Sequence, residues 1–203
     1  MILQWSNNFE LLVSIILSAQ CTDKKVNEVT TVVFPKYRKE KSELKSNYQK
    51  YSRIAIPKEQ TIELVNFSFV PLVELEQDIK STGFYHNKAK NVQAAAQTVL
   101  DKFDGVLPKT IAELTTIPGV GRKTANVFLG NAYGIYEGIA VDTHVIKQAQ
   151  ALGLTKNSDP VKIEQDLMKL FPQNQWFQLT YMLIEHGRNL RKKESDRSVC
   201  SNL

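Results

Sequence analysis

A glycine-rich turn between two short helical patterns is the segment whose spacing best suits chemistry with a phosphate. Residues 114–129 read LTTIPGVGRKTANVFL, which predicts a helix, a Pro-Gly-Val-Gly turn and a second helix in direct succession. Two glycines this close together, Gly119 and Gly121, allow positive φ values and a tight hairpin. The amides of the turn would then lie at a helix N-terminus, where N–H groups and the helix dipole favour an anion: those of Gly119, Val120, Gly121 and Arg122.

Such a hairpin would bind DNA through its phosphates without reading sequence, because amides that face the backbone meet no base edge. Arg122 and Lys123 add positive charge beside it. The alternative is a loop that merely joins two helices. The spacing favours phosphate binding, because apolar residues recur where they would pack the two helices together: Leu114, Ile117, Val120 and Ala125.

The composition is compatible with such a partner but does not require one. The 203 residues carry a net charge of +5, a modest basic excess that many proteins without a polyanion partner share. The two cysteines, Cys21 and Cys200, lie far apart and lack metal-ligand spacing, which favours a reduced intracellular protein. The apolar run at residues 9–19 is too short to span a bilayer, so it predicts a buried helix.

Helical patterns follow one another along nearly the whole chain, and candidate strands are few. Polar residues that can cap a helix precede several of these patterns: Ser6 or Asn7, Thr22 or Asp23, Thr110, and Asp142 or Thr143. The stretch from Lys36 to about Lys58 is rich in charged and polar residues with weak periodicity, and we interpret it as an exposed insertion. The chain is therefore predicted to be all-α.

With these motifs in view, the hairpin segment resembles the helix-hairpin-helix signature of DNA repair glycosylases. The lysine after GVGR resembles the endonuclease III family in particular. Further matches run in the same order: FELLVSIILSAQCTDKKVN near the start, STGFYHNKAKNV in the middle, AVDTH after the hairpin helix and LIEHGRNL near the end. The resemblance covers nearly the whole chain except about residues 36–66.

The resemblance implies an all-α, two-lobed glycosylase fold with a helix-hairpin-helix motif and a central DNA-binding cleft. One lobe would be a helical barrel over residues 21–133, with the helix-hairpin-helix at 114–129 and the charged insertion at about 36–66. The other lobe would join residues 1–20 to residues 134–203.

The resemblance also makes Lys123 the catalytic nucleophile and Asp142 its carboxylate partner. A base leaves deoxyribose C1′ through a cationic state that a carboxylate stabilises, and a neutral amine can attack C1′ to form a Schiff base. We expect partial burial of Lys123 to favour the neutral amine. Considered singly, the lysine could be a surface contact to phosphate and the aspartate an ordinary N-cap. Only the joint occurrence of GVGRK and VDTH favours the catalytic roles.

Three further residues are candidates for DNA contact. By the resemblance, Gln20 would fill the space that an extruded nucleotide leaves, and Phe84 would wedge against the opposite strand. His144 would orient Asp142 or contact a phosphate. Each has a structural alternative, which is a helix-end polar residue for the glutamine, core packing beneath Gly83 for the phenylalanine and first-turn packing for the histidine.

The chain departs from the resemblance after the HGR motif. Most endonuclease III proteins carry four cysteines there, in the spacing C-x6-C-x2-C-x5-C, that hold an iron–sulfur cluster. Here the segment reads HGRNLRKKESDRSVCSNL, with Arg191 at the first cysteine position and Cys200 as its one thiol. We therefore expect no iron–sulfur cluster, no other cofactor and no metal. Packing of the last helix, through residues such as Leu179, Met182 and Leu183, would hold the second lobe together instead.

These observations predict a base excision repair enzyme, a DNA glycosylase with abasic-site lyase activity that removes oxidised pyrimidines from duplex DNA through a lysine Schiff base. Its partner would be double-stranded DNA with a damaged base or an abasic site. We expect a monomer without membrane association, in the cytoplasm and associated with the nucleoid if the source is prokaryotic. Two alternatives stay open: a cluster-free glycosylase for alkylated or mismatched bases, and a non-catalytic helix-hairpin-helix DNA-binding protein. Lys123 and Asp142 argue against the second, because a pure binder needs neither.

Overall fold

The computed structural model describes residues 3–200, with side chains to residue 190. The helices are α1 (Asn8–Leu17), α2 (Asp23–Tyr37), α3 (Lys45–Lys50), α4 (Lys58–Phe69), α5 (Leu72–Ile79), α6 (Tyr85–Phe103), α7 (Ile111–Leu114), α8 (Arg122–Tyr133), α9 (Thr143–Ala151), α10 (Pro160–Leu170) and α11 (Trp176–Cys200). Short 3-10 turns lie at Ser42–Leu44, Lys80–Thr82 and Gln173–Gln175. No strand occurs within residues 3–200, which confirms the all-α prediction. None of the helices described is long and apolar enough to cross a membrane.

Polar caps explain where several helices begin. Asn7, Thr22 and Thr110 precede α1, α2 and α7, and each side chain accepts a hydrogen bond from the amide three residues further on. Such a bond satisfies one of the amides that a helix leaves without an intrahelical partner at its first turn. Because the partner lies in the same turn of chain, these starts could be predicted from sequence alone.

Contacts divide the chain into two compact units, one up to Phe128 and the other from Leu129 onward. Helix α1 belongs to the first unit, whereas the sequence predicts that residues 1–20 join the second lobe. The helix is buried from Phe9 to Leu17, including the polar residues Glu10 and Ser14, so it needs neighbours all round. One of them is α4, where the ring of Phe67 meets that of Phe9 edge-on with 5.6 Å between ring centres.

A cluster of ionisable side chains links α1 to α2 and α4. Glu10 of α1 forms an ion pair with Arg38, the residue that follows α2. Glu63 of α4 lies 3.9 Å from Arg38 Nε and accepts a hydrogen bond of 2.7 Å from Asn7 Nδ2. Glu10 and Glu63 are 0% and 1% exposed. Burial, followed by the negative charge of Glu10, raises the pKa of Glu63 to about 8.

The segment predicted as a charged insertion contains a core helix. Helix α4 is buried from Thr61 to Ser68 and packs against α6, so the expected insertion at about 36–66 is wrong in its last part. Polar residues in α4 weaken its hydrophobic pattern, yet they are buried with partners. Asn66 Nδ2 donates to the carbonyls of Tyr37 and Lys39 at 2.6 and 2.9 Å. Its Oδ1 accepts from the Tyr48 hydroxyl at 2.6 Å, so the amide is satisfied on both sides.

The second unit has its own apolar core, formed by α9, α10, α11 and the chain that leads into α9. The buried members of this core are Ile139, Val141, Val145, Ala149, Ile163, Leu167, Leu179 and Leu183. Leu179 and Leu183 pack there as predicted, but the prediction for Met182 is wrong, because that residue is 64% exposed. Gly187 allows α11 to approach α9 closely, since a Cβ at this position would lie 2.7 Å from Gln148 Nε2.

Candidate active site and nucleic-acid interface

The predicted hairpin is present between α7 and α8. Thr110 caps α7, and its hydroxyl also donates to the Glu113 carboxylate at 2.7 Å. Helix α7 ends at Leu114. In the turn that follows, the Val120 amide donates to the Ile117 carbonyl at 3.1 Å. Helix α8 then begins directly after Gly121, whose carbonyl accepts from the Ala125 amide at 2.9 Å. The chain therefore reverses within a single short turn and presents the N-terminus of α8.

Apolar packing holds the two helices of the hairpin together, as the spacing predicted. The four residues singled out for this role are at most 5% exposed: Leu114, Ile117, Val120 and Ala125. Gly119, Gly121 and Arg122 are exposed beside them. One expectation changes, because the amide of Val120 is bonded within the turn and its side chain is buried. Val120 is thus a packing residue of the hairpin, and its contact with a phosphate stays a prediction.

The two glycines of the turn meet different structural requirements. Gly119 has φ +79°, and a Cβ there would lie 2.8 Å from the Cβ of Asn91 in α6. Both the backbone angle and the close approach of α6 therefore require glycine. Gly121, in contrast, does not have the positive φ that a glycine at this position allows. A Cβ at Gly121 would meet no heavy atom within 4 Å. The bare backbone of Gly121 thus leaves open space in front of α8.

Lys123 lies in the first turn of α8, one residue after Arg122, and both side chains are exposed. The expected partial burial of Lys123 is therefore not found in the free protein. A lysine in this place lies beside the positive end of the helix dipole, where an anion such as a DNA phosphate is also favoured. The structure thus places an amine in the first turn of α8, beside the helix N-terminus.

Asp142 is the N-cap of α9. Its Oδ1 accepts hydrogen bonds of 2.9 Å from the amides of His144 and Val145, and the residue is half-buried behind the buried run 139–141. The ordinary structural role of an N-cap is thus confirmed for this residue. The same two bonds orient the carboxylate, and one of them comes from the backbone of His144. Lys123 belongs to the first unit and Asp142 to the second.

Gln20 and Phe84 share an unusual backbone conformation. Both have positive φ values, 53° and 50°, and within residues 3–200 the other non-glycine residue of this kind is Asp104. The left-handed region is sterically costly for long side chains, and residues held there cluster at functional sites. Both side chains are exposed, Phe84 by 66%. Core packing, the structural alternative for Phe84, is therefore wrong.

Lys88 is a buried polar residue near the turns that contain Gln20 and Phe84. Its burial is not predicted from the sequence. It lies in α6, it is 5% exposed, and its Nζ donates to the carbonyls of Leu17 and Thr82. In the sequence it belongs to the run HNKAKN, which is typical of a solvated helix face. No local signal could have found it, because one acceptor lies 71 residues away along the chain.

The residues present do not fit an iron–sulfur cluster. A cubane cluster needs four thiolate ligands, and the sequence contains two cysteines. Cys21 belongs to the first unit, and Arg191 and Cys200 lie outside the side chains that the structure describes. Within the described residues, no group of three or more His, Cys, Asp or Glu side chains could hold a metal ion.

Comparison with known proteins follows the same motifs. Residues 13–173 match the family described as HhH-GPD superfamily base excision DNA repair protein. The endonuclease III of Synechocystis sp. is 44% identical over 186 residues, which cover 92% of this chain and 74% of the relative. The endonuclease III of Bacillus subtilis is 40% identical over 193 residues, which cover 95% of this chain and 77% of the relative.

A solved structure of a trapped endonuclease III–DNA covalent intermediate matches with a TM-score of 0.76 and 39% identity. The match covers 92% of this chain and 76% of that protein. The helix-hairpin-helix, the order of the motifs and these likenesses agree. The chain therefore belongs to the HhH-GPD superfamily of base excision DNA repair proteins, and within it to the endonuclease III family.

Proposed function

We propose that this chain is a base excision repair enzyme that acts as both a DNA glycosylase and an abasic-site lyase. The observation that carries the proposal is the exposed Lys123 in the first turn of α8, directly behind a hairpin that presents a helix N-terminus. A phosphate-binding hairpin alone would explain DNA binding, but it would not need an amine at that position. Endonuclease III relatives at 40–44% identity over more than nine-tenths of the chain support the same activity.

The hairpin would hold the DNA backbone in register. Exposed backbone at Gly119 and Gly121, together with the helix dipole of α8, favours a phosphate group. The open space at Gly121 would let a phosphate oxygen come close to the main chain. Because such contacts carry no sequence information, they would position the enzyme on any duplex, and lesion recognition must come from other residues.

Lys123 would supply the nucleophile. Its Nζ attacks C1′ of the damaged nucleotide as the bond from C1′ to the base breaks, and the base leaves with the electron pair and takes up a proton. Opening of the sugar ring then gives an imine between Nζ and C1′. Loss of a proton from C2′ expels the 3′ phosphate and cuts the strand, and water finally hydrolyses the imine and releases the lysine.

Asp142 would stabilise the positive charge that develops on the sugar as the base departs. The N-cap bonds fix the direction of this carboxylate before substrate arrives, so no reorientation is needed during the reaction. The exposed Lys123 would be covered by the bound duplex. The amine must be neutral to attack C1′.

The substrate class that we propose is oxidised pyrimidines in double-stranded DNA, without an iron–sulfur cluster in the enzyme. The donor set argues for the cluster-free state, because Arg191 stands at the first cysteine position of the ligand pattern and cannot supply a thiolate. The apolar core of the second unit can replace the missing cross-link, since burying each aliphatic side chain contributes roughly 1.5–3 kcal/mol before entropic costs. A cytoplasmic enzyme associated with the nucleoid is consistent with this role.

Borohydride trapping tests the proposal, because the hydride reduces an imine to a stable protein–DNA bond. The wild-type protein should become covalently linked to a duplex with one abasic site, and Lys123→Gln should lose the link while keeping duplex binding. Lys102→Gln, which removes an exposed lysine from the last turn of α6, is the matched control and should trap like wild type. Full trapping by Lys123→Gln would overturn the assignment of the nucleophile.

The same assay tests the cluster-free state. Wild-type protein treated with an iron chelator should trap and cleave as before, and the purified protein should contain no stoichiometric iron. Activity lost on chelation, or iron at one cluster per chain, would contradict the proposal. A duplex that contains one oxidised pyrimidine tests the substrate class, with duplexes bearing an alkylated base or a mismatch as the alternatives.

A further inference from the structure

Lys88 has a place in the fold that the proposed chemistry does not use. We propose that Lys88 is a positioning residue for lesion recognition, whose buried ammonium group ties the turn that presents Gln20 to the turn that presents Phe84. Both side chains would then be held in one arrangement, ready to enter the duplex as the damaged nucleotide leaves it. This inference rests on the proposed function, since it assigns a role to the DNA-facing surface of that same enzyme.

The contacts of Lys88 join two chain segments at their ends. Its Nζ donates to the carbonyl of Leu17 at 2.9 Å and to that of Thr82 at 2.8 Å. Leu17 is the last residue of α1, and Thr82 is the last residue of the 3-10 turn that precedes α6. Carbonyl groups at a helix end lack intrahelical donors and carry partial negative charge, so an ammonium with three hydrogens suits them.

Each of these two helix ends is followed closely by a residue with a left-handed backbone conformation. Gln20 follows Leu17 by three positions, and Phe84 follows Thr82 by two. The backbone amide of Lys88 also donates to the Phe84 carbonyl at 3.3 Å. The side chain of Lys88 thus binds the carbonyls of Leu17 and Thr82, and its main chain binds that of Phe84. A strained backbone persists only where the surroundings hold it, and these bonds supply such a restraint.

An apolar residue would be the simpler choice for packing alone. The neighbouring buried positions of α6 are apolar: Ala89, Val92, Ala95, Ala96 and Val99. Burying an ammonium group among them is unfavourable unless it is hydrogen-bonded. Hydrogen bonds fix direction more strictly than apolar contact does, and direction is what two inserting side chains require. The burial of Lys88 is therefore explained by orientation of the two turns and not by the need to fill space.

Lys88→Met tests this, because methionine has a similar length and shape but donates no hydrogen bond. The probe is a duplex with a tetrahydrofuran abasic analogue and a 2-aminopurine base opposite it, whose fluorescence reports local unstacking. We expect affinity for this duplex to fall about tenfold, as for the loss of hydrogen bonds to a charged group. The fluorescence change should be lost in parallel. Affinity for an undamaged duplex, which depends on phosphate contacts, should stay within about twofold of wild type.

Two comparisons separate positioning from a general loss of stability. Val92→Ala removes a buried side chain one turn further along α6 and should lower the melting temperature without changing the ratio of the two affinities. Lys88→Met should also trap like wild type on a single-stranded abasic oligonucleotide, where no nucleotide has to be flipped. If wild-type protein traps neither the duplex with a natural abasic site nor the single-stranded abasic oligonucleotide, the proposed function fails, whatever the result for Lys88.

A double-mutant cycle gives the sharpest outcome. In a background of Gln20→Gly and Phe84→Ala, the inserting side chains are gone, so adding Lys88→Met should cause no further loss of affinity for the abasic analogue. If the full loss persists in that background, or if Lys88→Met weakens binding to damaged and undamaged duplexes equally, the inference is overturned. Should Lys88→Met not fold, Lys88→Gln retains one donor group and is put through the same comparisons.

Discussion

At the scale of a single residue, the carboxylate of Asp142 has an observed structural role and a proposed chemical role. Its Oδ1 accepts two amide hydrogens and starts α9, which is a role that asparagine could fill equally well. The proposed electrostatic role, in contrast, needs the negative charge. The two roles can therefore be separated by a change that keeps the hydrogen-bond acceptor and removes the charge.

Asp142→Asn should lower the rate of base excision by about 10²-fold or more, the scale seen when one charge-stabilising group is lost from an active site. The fold should stay intact, because the asparagine oxygen can accept from the amides of His144 and Val145 as before. Single-turnover release of the damaged base measures the rate, and thermal unfolding measures the fold.

Asp159→Asn provides the control for this substitution. Asp159 caps α10 in the same manner, by accepting from the Lys162 amide at 2.9 Å, and it has no proposed part in the chemistry. The control should excise bases at the wild-type rate. Unchanged excision in Asp142→Asn would return Asp142 to the role of an N-cap alone.

The hairpin shows at the scale of an element how two nearby glycines can meet different requirements. Gly119 is needed by the fold, because its φ is positive and α6 lies against it through Asn91. Gly121 is not required by anything within the protein, since a Cβ there would stand in open space. We infer that the second glycine is there for what approaches from outside, which the proposed function identifies as a DNA phosphate.

Gly119→Ala and Gly121→Ala should therefore separate stability from DNA binding. The first should lower the free energy of unfolding by about 1 kcal/mol or more, from the strained φ and the crowding with Asn91. The second should leave unfolding unchanged and weaken binding to damaged and undamaged duplexes alike. Urea unfolding and duplex titration at one salt concentration measure the two effects. Normal binding by Gly121→Ala, or a loss confined to damaged duplex, would contradict phosphate contact at this position.

The buried charges around Glu63 affect the stability of the whole molecule. Burial and, next, the charge of Glu10 raise the pKa of Glu63 from its ordinary value of 4.5 to about 8 in the folded protein. The folded protein thus binds one more proton than the unfolded chain between these two values. The contribution of Glu63 to stability is therefore complete below pH 4.5 and is lost as the pH rises towards 8.

Glu63→Gln should remove this pH dependence. The glutamine keeps the oxygen that accepts from Asn7 and carries no charge at any pH. Relative to wild type, the variant should become progressively more stable as the pH rises from 4.5 towards 8. Urea unfolding at pH 5.5, 7 and 8.5 measures the difference, with Glu43→Gln, an exposed glutamate, as the control. A stability difference that does not change with pH would contradict the buried, protonated state of Glu63.

The sequence by itself determined the features that depend on neighbours within a few residues. The caps at Asn7, Thr22 and Thr110, the turn at Gly119 and the all-α class follow from local hydrogen bonding and periodicity. The order of the motifs GVGRK and AVDTH was enough to indicate the family and the two residues that we propose for the chemistry.

Only the tertiary structure decided which polar groups are buried and which candidates are exposed. Asn66 and Lys88 resemble surface residues in the sequence, and they are buried because carbonyls 29 and 71 residues away accept their hydrogen bonds. Lys123 is exposed and not partly buried as predicted, because residues close in the sequence do not determine how much of a side chain in the first turn of a helix is covered. Burial and long-range hydrogen bonding are properties of distant segments brought together, so no pattern within one helix can reveal them.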